Sequence, residues 1–256
     1  MVKRIFGTGY IYHIYNRGIE KRDIFLDPSY YAHFLSILEH YLKFDCPYSE
    51  FQHRIDQATT KAGKDTVLTW LENNRIPRPV EIISLCLMPK HYHLTLEQKV
   101  ENGISFYMHK IGLSYTNYFN IRLERIGRLF EGTYKDVLVD TDEQLLHLTR
   151  YHHINPRKLS LETVEELIRY PWSSFATYLN SPNPLKFLTP DRVTNMFQDP
   201  DEYKKFVSAE IDEFEPIRLE SAAIDDDFGW FQKFRNQKKE QQKEMREGYL
   251  EKLSEQ

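Results

Sequence analysis

Residues 80–98 read Val80-Glu81-Ile82-Ile83-Ser84-Leu85-Cys86-Leu87-Met88-Pro89-Lys90-His91-Tyr92-His93-Leu94-Thr95-Leu96-Glu97-Gln98. Two runs rich in β-branched and aliphatic residues flank a Pro-Lys turn. The stretch therefore predicts strands over 80–88 and 91–98, joined as a hairpin. A hairpin makes the sheet at least partly antiparallel, and that choice governs how the flanking segments are read.

Upstream, Tyr10-Ile11-Tyr12-His13-Ile14-Tyr15-Asn16 predicts another strand, broken at Asn16-Arg17-Gly18. Asp27-Pro28-Ser29 offers a helix start, and Tyr31, Phe34, Leu35, Leu38, Tyr41 and Leu42 recur at helical spacing. Phe44 to Pro79 is polar and irregular, with a short helical signal at Val67 to Glu72, and reads as an insertion over about 45–79. Downstream, Gly103 to Glu124 has helical periodicity, and Gly127 to Val139 reads as a loop leading into a fourth strand. Asp140-Thr141-Asp142-Glu143 caps a helix that runs to about Asn155, where Pro156 stops it. The order strand, helix, strand, strand, helix, strand, helix predicts an α+β fold with helices packed on the sheet. Beyond Trp172 the helical signals at Pro190–Phe197 and Asp201–Ile211 predict a mainly helical C-terminal extension, ending in a polar segment from Asn236 to Gln256. The expected division is a body over 1–180 and an acidic accessory region over 181–256.

Composition narrows the function classes. Apolar residues make 41% and charged residues 28% of the 256, so the chain as a whole is expected to fold. No stretch approaches the roughly 20 apolar residues of a membrane helix, and residues 1–18 lack a signal-peptide pattern. Two cysteines, Cys46 and Cys86, make no disulfide framework or thiolate metal site, and a reducing, cytoplasmic setting is the expectation. The net charge of −4 is unevenly spread: Asp199 to Asp227 holds eleven acidic and three basic residues, a net of −8, leaving +4 on the rest. A mildly basic body is compatible with nucleic acid, and so is an aromatic content of 14%, which offers rings for base stacking.

Three constellations carry chemistry. His91 and His93 are two apart on a strand, so both imidazoles face one side and can chelate one ion; two structural histidines would look the same. Tyr151 and Asn155, four apart on a helix, share a face and offer a hydroxyl and a neutral amide oxygen suited to a hard cation. An Asn before Pro is also an ordinary helix stop. If the helix end packs over the strand, the set suits metal-assisted attack on a phosphodiester. The third is the segment from Lys110 to Lys135, in which Lys110, Arg122, Arg125, Arg128 and Lys135 interleave with Tyr115, Tyr118, Phe119, Phe130 and Tyr134. It reads either as a phosphate- and base-binding surface or as a solvated amphipathic helix.

The motifs, in order, resemble those of the single-tyrosine HUH transposases, in particular their REP-associated branch. They are Tyr12-His13-Ile14-Tyr15-Asn16-Arg17-Gly18; Met88-Pro89-Lys90-His91-Tyr92-His93; Tyr118-Phe119-Asn120 with Gly127-Arg128-Leu129-Phe130-Glu131-Gly132; Tyr151-His152-His153-Ile154-Asn155-Pro156; and Tyr170-Pro171-Trp172-Ser173-Ser174. They span about 5–178. Asn155 stands where the insertion-sequence branch usually has Gln, which fits the REP-associated branch. The resemblance implies a ferredoxin-like or RRM-like antiparallel sheet and cleavage of single-stranded DNA beside a hairpin. His91, His93 and Asn155 would hold Mg2+ or Mn2+. Tyr151 would be the nucleophile that forms a 5′-phosphotyrosine. On the phosphate-binding reading of the basic residues, Arg17, Lys110, Arg122, Arg125, Arg128 and Lys135 would contact DNA. The chain would act as a monomer or homodimer. The competing readings are a non-catalytic nucleic-acid-binding module of the same fold, and a metal-dependent phosphodiesterase without a covalent intermediate. Tyr115 and Tyr118 are the other tyrosines weighed as nucleophile, while strand alternation turns Tyr92 away from the histidines.

Overall fold

The structure is a computed structural model and describes residues 6–182 and 184–213. The acidic run Asp225–Asp227 and the polar segment from Asn236 lie outside the described residues. Four strands, β1 (Ile11–Arg17), β2 (Val80–Met88), β3 (His91–Gln98) and β4 (Lys135–Val139), form one sheet in the order β2-β3-β1-β4, with every neighbouring pair antiparallel. With α1 (Pro28–Tyr41) between β1 and β2, and α4 (Gly103–Arg122) between β3 and β4, this is the split βαβ arrangement of a ferredoxin-like α+β fold. The hairpin strands fall on the expected residues.

Strand alternation divides the chemistry between two faces. Tyr12, Ile14, Tyr92, Leu94, Leu96, Leu85 and Leu87 point to one side. There they join Phe34, Leu38, Ile111, Tyr115 and Phe119 of α1 and α4 in the main core. Asp27 caps α1 by accepting the Ser29 amide, and Pro28 occupies the first turn, where its missing N–H costs nothing. On the other face His13, Tyr15, Ser84, His91, His93 and Thr95 look toward α5 (Asp142–Ile154). Thr141 caps that helix by accepting the Gln144 amide.

The insertion differs from its sequence reading. In place of an irregular excursion with one short helix, it holds α2 (Tyr48–Gln57) and α3 (Lys61–Asn73). Its apolar residues are too sparse for the periodicity to stand out. Cys46, Ala58, Val67 and Leu71 form a small core of their own, and the Arg54 guanidinium lies 4.4 Å from the Trp70 ring centre, linking the two helices. The insertion leaves and returns at one point: Phe44 and Arg75 form a β-bridge, Asp45 N–H donates to Asn74 O, and Ile76 N–H donates to Lys43 O.

The α-helix ends at Ile154, at the expected stop: the Asn155 N–H makes its last bond, to Tyr151 O, and the chain continues as a 3-10 turn, Asn155–Leu159. Three short helices follow, α6 (Val164–Arg169), α7 (Phe175–Tyr178) and α8 (Asp191–Thr194), and then α9 (Pro200–Glu213). Parts of the expected accessory region, between Leu185 and Val207, pack on the body. Phe187 and Leu188 join the main core, Thr189 N–H donates to Ile82 O, and Tyr203 and Val207 of α9 are buried. The compact unit that contains the sheet accordingly runs to Glu213.

Leu94 sits on the core face of a central strand with no exposed surface. Leu94→Ala is expected to lower unfolding free energy by about 2–5 kcal/mol, read from urea midpoints at unchanged slope.

Candidate active site

The register of β1 against β3 sets His93 opposite Tyr15 and His91 opposite Arg17. Both histidines therefore share the α5 face, with ring centres 4.9 Å apart and planes at 81°. Tyr92 points the other way and packs against Phe34, its ring centre 5.2 Å off. Tyr151 presents its ring to His93 edge-on, centroids 5.4 Å apart at 84°. Asn155 follows one turn later, 2% exposed, with its amide beside His91. The structure thus brings Tyr151, His91, His93 and Asn155 together. His91 Nε2, His93 Nε2 and both amide atoms of Asn155 are buried without a hydrogen-bond partner. Buried polar atoms in that state call for a ligand or water. Two imidazole nitrogens and an amide oxygen on one wall fit a divalent cation.

Around this set lie residues that sequence reasoning missed. His13 Nε2 lies 3.0 Å from His93 Nδ1 in a buried hydrogen bond, the two rings nearly parallel at 17°. His152 Nδ1 meets Ser84 Oγ at 2.9 Å, and Ser84 donates to Thr95 Oγ1. His13, His93 and His152 bring ligand nitrogens within 4.8 Å of one another, so this triad could also hold a metal ion. The Lys158 ammonium lies 5.6 Å from the Tyr151 ring centre, adding a cation to the site's edge. A histidine in mid-strand was the available signal for His13, but its cross-strand partner depends on a register that sequence does not state.

His153 belongs to a different network. Its Nε2 meets Ser174 Oγ at 2.8 Å and its Nδ1 meets the Tyr203 hydroxyl at 2.7 Å, so both ring nitrogens are engaged. Ser174 in turn accepts the Leu85 amide of β2. Arg150 of α5 stacks on Phe206, 4.4 Å from the ring centre, and donates to its carbonyl. The helix that carries Tyr151 is therefore tied to β2 on one side and to α9 on the other.

The six expected DNA contacts do not form one patch. Arg17 and Lys135 lie on the histidine face of the sheet: Arg17 pairs with Glu131, and the Lys135 ammonium is 5.8 Å from the Tyr15 ring centre. Lys110, Arg122, Arg125 and Arg128 belong to α4 and the loop after it, in the other layer. Lys110 pairs with Asp45, Arg122 donates to the Tyr118 hydroxyl, Arg125 donates to Asn120 Oδ1, and Arg128 is exposed. Tyr115, weighed as a nucleophile, is buried in the main core and donates its hydroxyl to Ile24 O, on the far side of the sheet from the histidines. Tyr118 lies in that same layer, its ring stacked 3.5 Å from His33.

No protein-family profile matches the chain, and no curated protein matches it in sequence. Among solved structures it is similar to a REP-associated tyrosine transposase bound to a REP hairpin. That match has a TM-score of 0.44 and 15% identity, and covers 74% of this chain and 91% of that one. No described helix is long and apolar enough to cross a membrane.

Burial sets the protonation of the cluster. It holds His91 down at about 3, with Lys158 and Arg17 adding to the effect and Asn155 opposing it. It likewise holds His152 at about 3. Burial first, then neighbouring imidazoles, keeps His13, His93 and His153 well below the ordinary histidine range. All five are neutral at pH 7, and among them His91 and His93 each keep an Nε2 that no protein group engages. A histidine whose pKa is depressed on folding takes up its proton more readily unfolded, so stability rises with pH between the folded and unfolded values. Stability is therefore expected to be flat from pH 7 to 8 and to fall as pH drops from 6.5 toward 3. The slope should be about 1.4 kcal/mol per pH unit for each histidine involved. Urea midpoints across that range, compared with those of His153→Gln, measure it.

Proposed function

We propose that this chain cleaves and rejoins single-stranded DNA beside a hairpin through a covalent tyrosine intermediate. The observation that carries the reading is the convergence, under one helix end, of Tyr151 with the partnerless buried ligand atoms of His91, His93 and Asn155. The ordered sequence motifs supply the substrate class.

In this reading His91 Nε2, His93 Nε2 and Asn155 Oδ1 hold Mg2+ or Mn2+. When bound, the ion supplies Lewis-acid polarisation of the scissile phosphate. The Tyr151 oxygen attacks phosphorus, forming a phosphotyrosine ester while the bond to the 3′ oxygen breaks. The phenolic proton is lost to solvent, and the departing 3′ oxygen takes one up. The ester keeps the energy of the broken linkage, so a 3′-hydroxyl can reverse the step without a nucleotide cofactor. Lys158 and Arg17 border the phosphate position as cations. Catalysis belongs to residues 1–180, and 181–213 serve to hold α5.

A second reading is favoured by the buried triad of His13, His93 and His152. In it a structural metal sits deep under α5, and the chain binds nucleic acid without cutting it. The two readings share His93 and part at His91 and His152.

A labelled single-stranded hairpin oligonucleotide incubated with Mn2+ and resolved on a denaturing gel tests both. Wild type is expected to yield a covalent protein–DNA adduct. Tyr151→Phe should abolish the adduct while leaving DNA affinity within about threefold, since only a hydroxyl is removed. His91→Ala should lower adduct formation at least about 100-fold, and His152→Gln should leave most of it. Binding with no adduct in wild type, together with metal loss in His152→Gln and not in His91→Ala, would select the second reading.

The electrostatic part is checked separately. Arg17→Gln with Lys135→Gln should reduce the slope of log affinity against log salt by about 2, roughly one for each phosphate left without its cation. An unchanged slope would move the DNA path to the α4 layer.

A further inference from the structure

His13 lies outside the proposed ligand set, yet it touches His93 where metal binding is decided. A neutral imidazole carries one proton, and the nitrogen that holds it cannot ligate. His93 Nε2 is the atom buried without a partner, while its Nδ1 lies 3.0 Å from His13 Nε2. That hydrogen bond has two forms. If His13 Nε2–H donates, the His93 proton sits on Nε2 and blocks the site. If His93 Nδ1–H donates, the Nε2 lone pair faces His91 and Asn155. His13 is 0% exposed and is fixed between the Tyr15 ring, stacked 4.9 Å away, and the His152 ring at 5.2 Å. It cannot turn away from His93 without repacking both neighbours.

We infer that His13 is a positioning residue: it accepts the Nδ1–H of His93 and so holds that imidazole in the tautomer that ligates through Nε2. The assignment rests on the metal reading above for its purpose, but not for its geometry. A metal-bound histidine commonly donates its second nitrogen to a carboxylate, carbonyl or water, and losing that partner typically costs 10–100-fold in affinity. Here a second neutral imidazole takes the place of the usual oxygen acceptor. Being uncharged, it orients His93 without drawing the proton away from it.

Two measurements test this. The first uses metal-free wild type labelled with 15N in histidine, and reads the His93 tautomer from two-bond ring correlations. The expected result is the proton on Nδ1; a proton on Nε2 would overturn the proposal. The second titrates Mn2+ into wild type, His13→Phe and His13→Gln, with thermal unfolding of each metal-free protein as the folding control. His13→Phe, which removes the acceptor and keeps a ring, should weaken Mn2+ about 10–100-fold. His13→Gln, whose Oε1 can accept the same proton, should restore most of the loss. Equal Mn2+ affinity in wild type and a folded His13→Phe would also overturn it. If His13→Phe does not fold, the tautomer measurement on wild type still decides. Absence of Mn2+ binding by wild type would remove the metal reading itself, leaving the tautomer to judge the role of His13 independently.

Discussion

The pairing of β1 with β3 is the constraint on which the rest depends. With Tyr15 opposite His93 and Arg17 opposite His91, every histidine on these two strands is sent to the α5 face, while Ile14, Leu94 and Leu96 go to the other. A slip of one residue would put imidazoles into the main core and leucines under α5. The core face therefore enforces the polar one. Burying Ile14, Leu94 and Leu96 against α1 and α4 fixes the register that makes the cluster.

The cluster is costly on its own terms. The imidazoles of His91 and His93 and the Asn155 amide are taken out of water with polar atoms unsatisfied by protein. Two layers of packing hold it in place. On one side the main core sets the strands. On the other, α5 is tied to β2 through Ser174 and to α9 through Tyr203 and Phe206. The acidic stretch that begins at Asp199 thus has a structural office in its first turns: Tyr203 and Val207 close the back of the helix that carries Tyr151.

Much of this was legible in the sequence, for identifiable reasons. The hairpin at 80–98 was readable to the residue because two apolar runs flank a two-residue turn. The sharing of a face by Tyr151 and Asn155 followed from helical spacing, and it survives Pro156 because proline lacks a donor without removing the Asn155 N–H. The contact of His13 with His93 was not legible, since it joins residues 80 positions apart through a register set by the fold. The helices of the insertion were hidden by a surface-like composition, their stability coming from a four-residue core and a guanidinium on an indole. The placement of the basic residues was not legible either: chain topology puts Lys110 and Arg122 on α4 and Arg17 and Lys135 on the histidine face of the sheet, and Asp45 and Glu131 pair with Lys110 and Arg17.

The insertion has a bearing on how such a chain can change. Because Lys43, Phe44 and Asp45 hydrogen-bond or bridge to Asn74, Arg75 and Ile76, the α2–α3 hairpin enters and leaves through a single gate. Its ends are already together, so the entropic cost of closing that loop hardly depends on what it contains. The junction after Lys43 is thus a socket. Exchanging the module at that junction would leave the β1–β3 strands uninterrupted, but would take Tyr48 out of the main core and remove the N–H it donates to the Tyr41 hydroxyl.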